Sequence, residues 1–168
     1  MARELLGKVV AIRRDGGWVG GTITETEAYL GLNDPASHSH RGPTPRSRIM
    51  FGPPGVAYVY FVYGMHHCLN AVTEPEGTGA AVLIRALRPE TGDSPAVTPV
   101  ALPASRLRGP GLLCQALGIT LAMNGYDLAT SDLRILAAAE APAKSVLVGP
   151  RVGIRQAADL PLRFRLEP

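Results

Sequence analysis

Hydrophobic and polar residues alternate along several short stretches of this chain, and a period of two is typical of half-buried β-strands. β-Branched residues dominate the stretch Trp18–Tyr29, which predicts a strand. Further strands are predicted over Val9–Arg13, which follows a short predicted helix over Glu4–Lys8, and over Ala80–Leu87. Leucine and phenylalanine alternate with arginine over 162–166, which predicts a strand with a basic outer face.

Two of the apolar stretches lie so close together that they predict a β-hairpin. Gly55–Tyr63 and His66–Thr73 are separated only by Gly64 and Met65, which form a tight turn in this interpretation. Farther along, Gly109-Pro110-Gly111 stands ahead of an apolar run, and a proline in this place is typical of the first turn of a helix.

Segments rich in Gly, Pro, Ser and Thr separate these elements. Gly31–Arg48 is predicted to be a long loop with one helical turn near Pro35–His38, and Pro89–Pro103 an irregular surface connection. No strand–helix–strand rhythm is evident. The predicted fold is therefore α+β: a single domain over residues 1–168 with a curved, mainly antiparallel sheet as its core, a protruding hairpin and several surrounding helices.

Composition agrees with one such domain, because 168 residues with 46% hydrophobic positions can build one sizeable core. The longest apolar stretch, Val56–Tyr63, is much shorter than the roughly 20 residues that a membrane helix needs. No secretory signal is visible at the N-terminus. We therefore expect an intracellular protein without membrane contact, with Cys68 and Cys114 reduced and buried.

Positive charge is unevenly distributed and comes almost entirely from arginine. No acid occurs between Asp34 and Glu74, whereas Arg41, Arg46 and Arg48 all lie there. Clustered arginines without compensating carboxylates are typical of a surface that binds a polyanion such as a nucleic acid. A solvated basic surface without a partner is the alternative, and charge alone leaves both interpretations open.

The residues best suited to chemistry are concentrated in one region, since most aromatic side chains and all four histidines lie between Tyr29 and His67. On the strand that precedes this region, Glu25, Glu27 and Tyr29 point to the same face. A carboxylate beside an aromatic ring suits a pocket that holds a planar group and acts on its attachment. The alternative is an exposed strand edge with two solvated acids.

At the tip of the predicted hairpin, Tyr63 stands beside the Gly64 turn with no acid nearby. A large apolar side chain on such a protrusion is suited to insertion between stacked bases. A surface tyrosine that caps the hairpin is the alternative.

Two groups of histidines raise the question of a metal site. His66, His67 and Cys68 are consecutive on a predicted strand, so that neighbouring side chains point to opposite faces and at most two of them can reach one ion. The other group, His38 and His40, contains no recognised zinc motif. We therefore expect no metal and no cofactor, and a histidine-ligated metallohydrolase is the third hypothesis for function.

Several longer motifs lie in order along the chain, among them Thr24–Gly31, Ala36–Ser39 and Leu83–Leu87. Together with the motifs given below, they resemble one known family, the alkyladenine (3-methyladenine) DNA glycosylases. The resemblance runs in order from about Leu5 to Arg165, which is essentially the whole chain. It rests mainly on Thr24–Gly31, Ala36–Ser39, Thr44–Arg48, Tyr58–Tyr60, Tyr63–Met65, Asn70, Leu83–Leu87, Leu113–Leu117 and Arg151–Ile154. After Met65 the chain departs from this pattern, because His66 and His67 stand where better-known members carry bulky aromatics.

This resemblance implies a monomeric, monofunctional repair enzyme that flips a damaged purine out of duplex DNA, hydrolyses its N-glycosidic bond with water and leaves an abasic site. Its substrates would be alkylated purines and, in a wider range, deaminated or etheno-bridged ones. Glu27 matches the carboxylate that activates the water, and Arg85 matches a residue beside it. Lyase chemistry needs an amine, and Lys8 and Lys144 both lie outside the aromatic region.

The resemblance also assigns a pocket and a DNA-binding surface. Tyr29, His38 and Tyr60 match aromatic walls, Ala36 a carbonyl acceptor, Asn70 a residue that excludes guanine, and Val152 an apolar contact. Tyr63, with Met65 beside it, matches the side chain that intercalates from the minor groove of damaged double-stranded DNA. The loop arginines Arg41, Arg46 and Arg48 are candidates for contacts with the DNA backbone. A DNA-binding module that keeps this pocket without catalysis is the second hypothesis.

Overall fold

The computed structural model describes residues 1–15, 17–89, 102–137 and 145–167, and eight strands within these ranges form one sheet. The strands are β1 (Val9–Arg14), β2 (Gly17–Tyr29), β3 (Ala57–Val62), β4 (His66–Thr73), β5 (Ala80–Pro89), β6 (Leu133–Leu136), β7 (Val146–Gly149) and β8 (Arg163–Leu166). The described helices are α1 (Pro110–Leu117) and short 3₁₀ helices at Gly31–Asn33, Arg48–Phe51, Ala104–Leu107 and Leu121–Met123.

The sheet is antiparallel and curled, with the order β3-β4-β5-β2-β1-β6. Strand β2, the longest at 13 residues, pairs with β5 along one edge. Along its other edge it pairs first with β1 and then, over Glu25–Glu27, with β8, which also pairs with β7. The prediction of an α+β fold with a mainly antiparallel sheet and a hairpin is confirmed. Within the described ranges, the surrounding helices are one α-helix and several 3₁₀ turns.

The main core lies on one face of this sheet, where α1 packs against β4 and β5. Leu69 and Ile84 from the strands and Leu113 and Leu117 from the helix are fully buried there. The helix starts with Pro110 in its first turn, as the sequence predicts, and ends at Gly118 in the left-handed conformation that favours glycine. A smaller cluster around Met50 and Tyr58 is separate from this core.

Some predicted local elements were wrong. Residues 2–7 form turns rather than a helix, because the Gly7 amide donates to Ile23 O at 2.9 Å and joins the chain to the sheet. In the long loop, the 3₁₀ turn lies at Gly31–Asn33 instead of Pro35–His38, where separate turns follow Asp34. Strands β6 and β7 were not predicted. Most of the predicted 89–103 connection lies outside the described residues.

No helix in the described ranges has the length and hydrophobicity that crossing a membrane would require.

Candidate active site

The carboxylate of Glu27 lies fully buried near the end of β2, opposite Leu83 of β5. Its Oε1 accepts a hydrogen bond from the Val152 amide at 2.7 Å, and its Oε2 accepts one from the Tyr29 hydroxyl at 3.0 Å. Arg85 Nη1 lies 3.4 Å from Oε1. Donors from three separate segments of the chain therefore hold this carboxylate in one orientation.

Arg85 lies two residues after Leu83 on β5, so both side chains reach the cavity, and the β2–β5 ladder is irregular beside Arg85. Glu25 pairs with Ala86 and Thr26 pairs with Ile84, so that Arg85 has no direct partner in β2. Its carbonyl instead accepts a hydrogen bond from the Gly109 amide at 2.9 Å, immediately before α1. The guanidinium lies between the two carboxylates of β2, with Nε 3.0 Å from Glu25 and Nη1 3.4 Å from Glu27.

The two carboxylates of β2 have different surroundings. Glu25 Oε1 lies 3.0 Å from Arg85 Nε and 3.5 Å from Arg163 Nη1, and the side chain is 22% exposed. Glu25 is thus shared between two arginines at the edge of the site. Glu27 is fully buried and accepts hydrogen bonds from uncharged donors on both of its oxygens. Glu27 is not itself among the residues that line the adjoining cavity, but the three residues that contact it, Tyr29, Arg85 and Val152, all line it.

Aromatic rings form the walls of that cavity. The His38 and Tyr60 ring centroids lie 4.6 Å apart at 75°, and His38 Nδ1 forms a 2.8 Å hydrogen bond with the Tyr58 hydroxyl. Partial burial and the charge of Arg46 lower the pKa of His38 to about 4. Burial raises the pKa of Tyr60 and, together with the neighbouring Glu27 carboxylate, that of Tyr29. All three rings are therefore uncharged at neutral pH.

The cavity has a volume of about 360 Å³, within the range of about 300–1,000 Å³ that small-ligand pockets span. All six residues predicted to bind a base line it, and so do Arg85 and Tyr63. Asn70 is nearly fully buried, and its Nδ2 donates to Tyr58 O at 3.0 Å. The orientation of this amide is therefore fixed. The predicted base-binding residues are Tyr29, Ala36, His38, Tyr60, Asn70 and Val152.

The hairpin tip is the most exposed apolar feature near the cavity. Tyr63 is 84% exposed and Met65 is 69% exposed. Tyr63 adopts a φ of 54°, a left-handed conformation that is uncommon for a residue with a large side chain. The turn therefore presents two large apolar side chains to solvent beside the cavity mouth.

The three loop arginines Arg41, Arg46 and Arg48 are all exposed. The guanidinium of Arg46 lies 4.9 Å from the centroid of the Tyr60 ring and donates to Phe61 O at 3.4 Å. Arg41 lines a shallow depression on the outer side of the same loop. Arg46 thus brings positive charge to the Tyr60 wall of the cavity, and contact of the three arginines with DNA stays a prediction.

Comparison with known proteins matches this sequence to one family. The family model described as "Methylpurine-DNA glycosylase (MPG)" matches residues 1–168. This chain belongs to the methylpurine-DNA glycosylase family. The family resemblance that the motifs indicated is confirmed, and the protein is a DNA repair glycosylase.

Curated relatives carry a consistent name, "Putative 3-methyladenine DNA glycosylase". The protein from Myxococcus xanthus is 47% identical over 154 residues, which cover 92% of this chain and 75% of the relative. That from Rhodopseudomonas palustris is 48% identical over 169 residues, 99% of this chain and 79% of the relative. A relative from Methanoculleus marisnigri is 47% identical over 172 residues, 99% and 88% of the two chains.

Sequence reasoning missed three residues that help to build this glycosylase site. Asp34 and Arg151 form a fully buried ion pair beside the cavity, and nothing along the sequence connects positions so far apart. His66, which had no assigned place, lines the cavity and packs against Gly111, where an added Cβ would lie 2.8 Å from the His66 ring. Of these three residues, only Arg151 had a signal in the sequence, because it begins Arg151–Ile154, one of the motifs that carry the family resemblance.

Across the ranges that the structure describes, no three His, Cys, Asp or Glu side chains come together as a metal site. The histidine-ligated metallohydrolase hypothesis therefore has no ligand cluster to rest on in that part of the chain.

Proposed function

We propose that this glycosylase is monofunctional and flips an alkylated purine nucleotide out of duplex DNA into the 360 Å³ cavity. The observation that carries the proposal is the buried Glu27 carboxylate beside a cavity with uncharged aromatic walls. Stacking on such walls contributes about 1–3 kcal/mol per base. That gain is of the same order as the few kcal/mol that unstacking and unpairing a base cost.

In the proposed reaction, a water oxygen attacks C1′ of the flipped nucleotide while the bond from C1′ to the purine nitrogen breaks. The purine leaves with the bonding electron pair, and Glu27 accepts the proton of the water. The negative carboxylate also stabilises the positive charge that develops on the sugar. A purine alkylated at N3 or N7 is cationic in DNA, so it leaves as a neutral base without a proton donor. Arg85 holds Glu27 in place through the contact at 3.4 Å.

Selection of the base falls to the remaining cavity residues in this proposal. The Ala36 carbonyl accepts a hydrogen bond from the lesion, and the His38 amide donates one to it. Val152 contacts the lesion through its apolar side chain. Asn70, whose amide orientation is fixed by Tyr58 O, excludes the exocyclic amine of normal guanine. Neutral hypoxanthine and ethenoadenine are harder leaving groups than cationic 3-methyladenine, so we expect them to be released more slowly.

The same surface supports an approach to DNA as a monomer from the minor groove. Tyr63, with Met65 beside it, fills the gap that the flipped nucleotide leaves, which offsets part of the unstacking cost. Arg41, Arg46 and Arg48 contact phosphates on either side of the lesion. This arrangement is supported by the exposure of the hairpin tip and of the three loop arginines.

We also propose that the enzyme lacks lyase activity, because a Schiff base requires an amine near the sugar. Lys8 is not among the residues that line the cavity, and Lys144 lies outside the described residues. Borohydride should therefore trap no covalent protein–DNA adduct. Efficient trapping would show that an amine attacks the sugar and would overturn this part of the proposal.

Release of free base from defined duplexes tests the central proposal. Duplexes that carry 3-methyladenine, hypoxanthine or ethenoadenine are incubated with the protein, and the released bases are separated and quantified. We expect 3-methyladenine to be released and an abasic site to remain. Binding of lesion DNA without any base release would instead support the non-catalytic binding module.

A further inference from the structure

A buried ion pair joins two loops that meet beside the cavity. Asp34 ends the 3₁₀ turn of the long loop, and Arg151 lies just after β7. Both terminal nitrogens of Arg151 bond to the Asp34 carboxylate, with Nη2 at 2.9 Å from Oδ1, and both side chains are fully buried. Although burial opposes it, hydrogen bonds from Arg151 and from two backbone amides hold the pKa of Asp34 below its usual value.

Each partner also fixes backbone that belongs to the site. Asp34 accepts hydrogen bonds from the amides of Leu30 and Ala36, both at 3.1 Å. Arg151 donates to Ala28 O at 3.0 Å, between Glu27 and Tyr29 on β2. The pair therefore ties the end of β2 to the loop that carries Ala36 and His38.

The contacts continue from this pair to the Glu27 carboxylate. The guanidinium carbon of Arg151 lies 4.8 Å from the centroid of the Tyr29 ring, whose hydroxyl donates to Glu27. Val152, the residue after Arg151, supplies the other uncharged donor to Glu27 through its amide. Both of these donors are thus held by Arg151, although Arg151 has no hydrogen bond to Glu27 among those described.

We propose that the Asp34–Arg151 pair positions Glu27 and the Ala36–His38 wall of the cavity before DNA binds. This inference rests on the proposed function of the site. Neither partner is a catalytic residue, because each acts only through Tyr29, Val152 and the backbone of the loop.

Stability alone does not account for this pair. A buried ion pair contributes little net stability compared with well-packed apolar residues, because both charges lose their hydration. Within the described ranges, Arg151 Nε is also buried without a hydrogen-bond partner. The pair instead fixes orientation. Two parallel hydrogen bonds hold the plane of the guanidinium against the carboxylate, and apolar side chains make no such directional contact.

Arg151→Lys tests this role because it keeps the positive charge but loses the bidentate hydrogen bond to Asp34 and the stacking of the planar guanidinium on the Tyr29 ring. The assay is base release from a 3-methyladenine duplex at saturating enzyme in a single turnover. We expect the rate to fall by about 10- to 100-fold, the cost of a displacement of about 1 Å at a reacting group. Affinity for an undamaged duplex should stay unchanged, since the exposed DNA-binding surface is not altered.

Leu133→Ala is the matched control, because Leu133 is fully buried in the main core on β6, outside the cavity lining. It should lower the melting temperature while retaining the wild-type rate below that temperature. The positioning role is wrong if Arg151→Lys releases base at the wild-type rate. It is equally wrong if Leu133→Ala, at a similar loss of melting temperature, loses the same rate.

Hydrogen exchange supplies a second measurement that needs no activity. In Arg151→Lys, the Val152 amide should exchange faster than in the wild type, because its acceptor Glu27 is no longer held in place. In Asp34→Asn, the Ala36 amide should also exchange faster, whereas the Ala11 amide of β1 should not change. Unchanged exchange at Val152 would overturn the inference. A wild-type protein that releases no base would contradict the proposed function, and exchange would then decide the positioning role alone.

Discussion

Replacing Glu27 by glutamine tests the proposed base with little disturbance of the fold. The glutamine oxygen can still accept from the Val152 amide, and its NH₂ group can donate to the Tyr29 hydroxyl in place of the present bond. Arg85 is not left without an anion, because Glu25 remains 3.0 Å from its Nε. We therefore expect a loss of stability of only about 1 kcal/mol, the scale of one weakened hydrogen bond.

The effect on the reaction should be much larger. Glutamine cannot accept the proton of the attacking water, and a positioned general base contributes about 10²- to 10⁴-fold to a rate. At 1.36 kcal/mol for each factor of ten, that range equals about 3–5 kcal/mol of the activation barrier. Glu27 is also fully buried, so water screens its charge poorly and its support of a cationic sugar is lost as well.

The assay is single-turnover release of 3-methyladenine with enzyme in excess, together with anisotropy measurements of lesion-duplex binding. Glu25→Gln is the matched control, since it makes the same change two residues earlier on β2. Glu25 is partly exposed and paired with Arg85 and Arg163. Its replacement should therefore slow release by less than about 10²-fold, which is the lower end of the effect expected for a general base.

Binding should separate from chemistry in these variants. Glu27→Gln should bind the lesion duplex as the wild type does, because the aromatic walls and the hairpin tip are unchanged. Release at the wild-type rate by this variant would refute the assignment of the base. Equal losses in the Glu25 and Glu27 variants would show instead that the charge of the whole network matters, rather than one proton acceptor.

Three further predictions follow from the cavity and its surroundings. Tyr63→Ala removes an 84% exposed ring and should weaken lesion-duplex binding, measured by anisotropy, more than it slows base release from a mispaired lesion. Equal effects on binding and release would contradict the insertion of Tyr63 between bases. The pKa of His38 is lowered from 6.5 to about 4, so on acidification the unfolded chain takes up this proton before the folded protein does. The free energy of unfolding, measured with urea, should therefore fall as the pH drops from 6.5 to about 4, and His38→Gln should weaken this pH dependence. Gly111→Ala places a Cβ 2.8 Å from His66 and should lower the melting temperature, whereas Gly149→Ala, with open space around it, should leave it unchanged.

Local sequence patterns predicted the elements whose determinants are local. The hairpin follows from two apolar stretches on either side of Gly64, and the structure starts and ends β4 at the predicted residues, His66 and Thr73. Strands β6 and β7 have four residues each and lack the repeated alternation with arginine that predicted β8. They are strands because β1 and β8 offer them hydrogen-bonding edges, and that information is not local.

The site shows the same division between local and distant information. That Glu27 and Tyr29 share a face follows from the period of two, and the structure joins them by a hydrogen bond. Arg85 shares a face of β5 with Leu83, which pairs with Glu27, so its place beside Glu27 depends on the β2–β5 register. Periodicity within β5 alone does not reveal that register. The position of Arg85 therefore depended on the resemblance, and the contacts of Asp34 with Arg151 required the structure.

The acids nearest the cavity are paired with arginines of the site, whereas the exposed loop arginines are not. Asp34 is neutralised by buried Arg151, and Glu25 and Glu27 share Arg85, so the acids nearest the cavity are directed inward. Among the ion pairs of the described residues, none involves the exposed loop arginines at 41, 46 and 48. Their charge stays available to phosphates, because the carboxylates that organise the site are already satisfied within it.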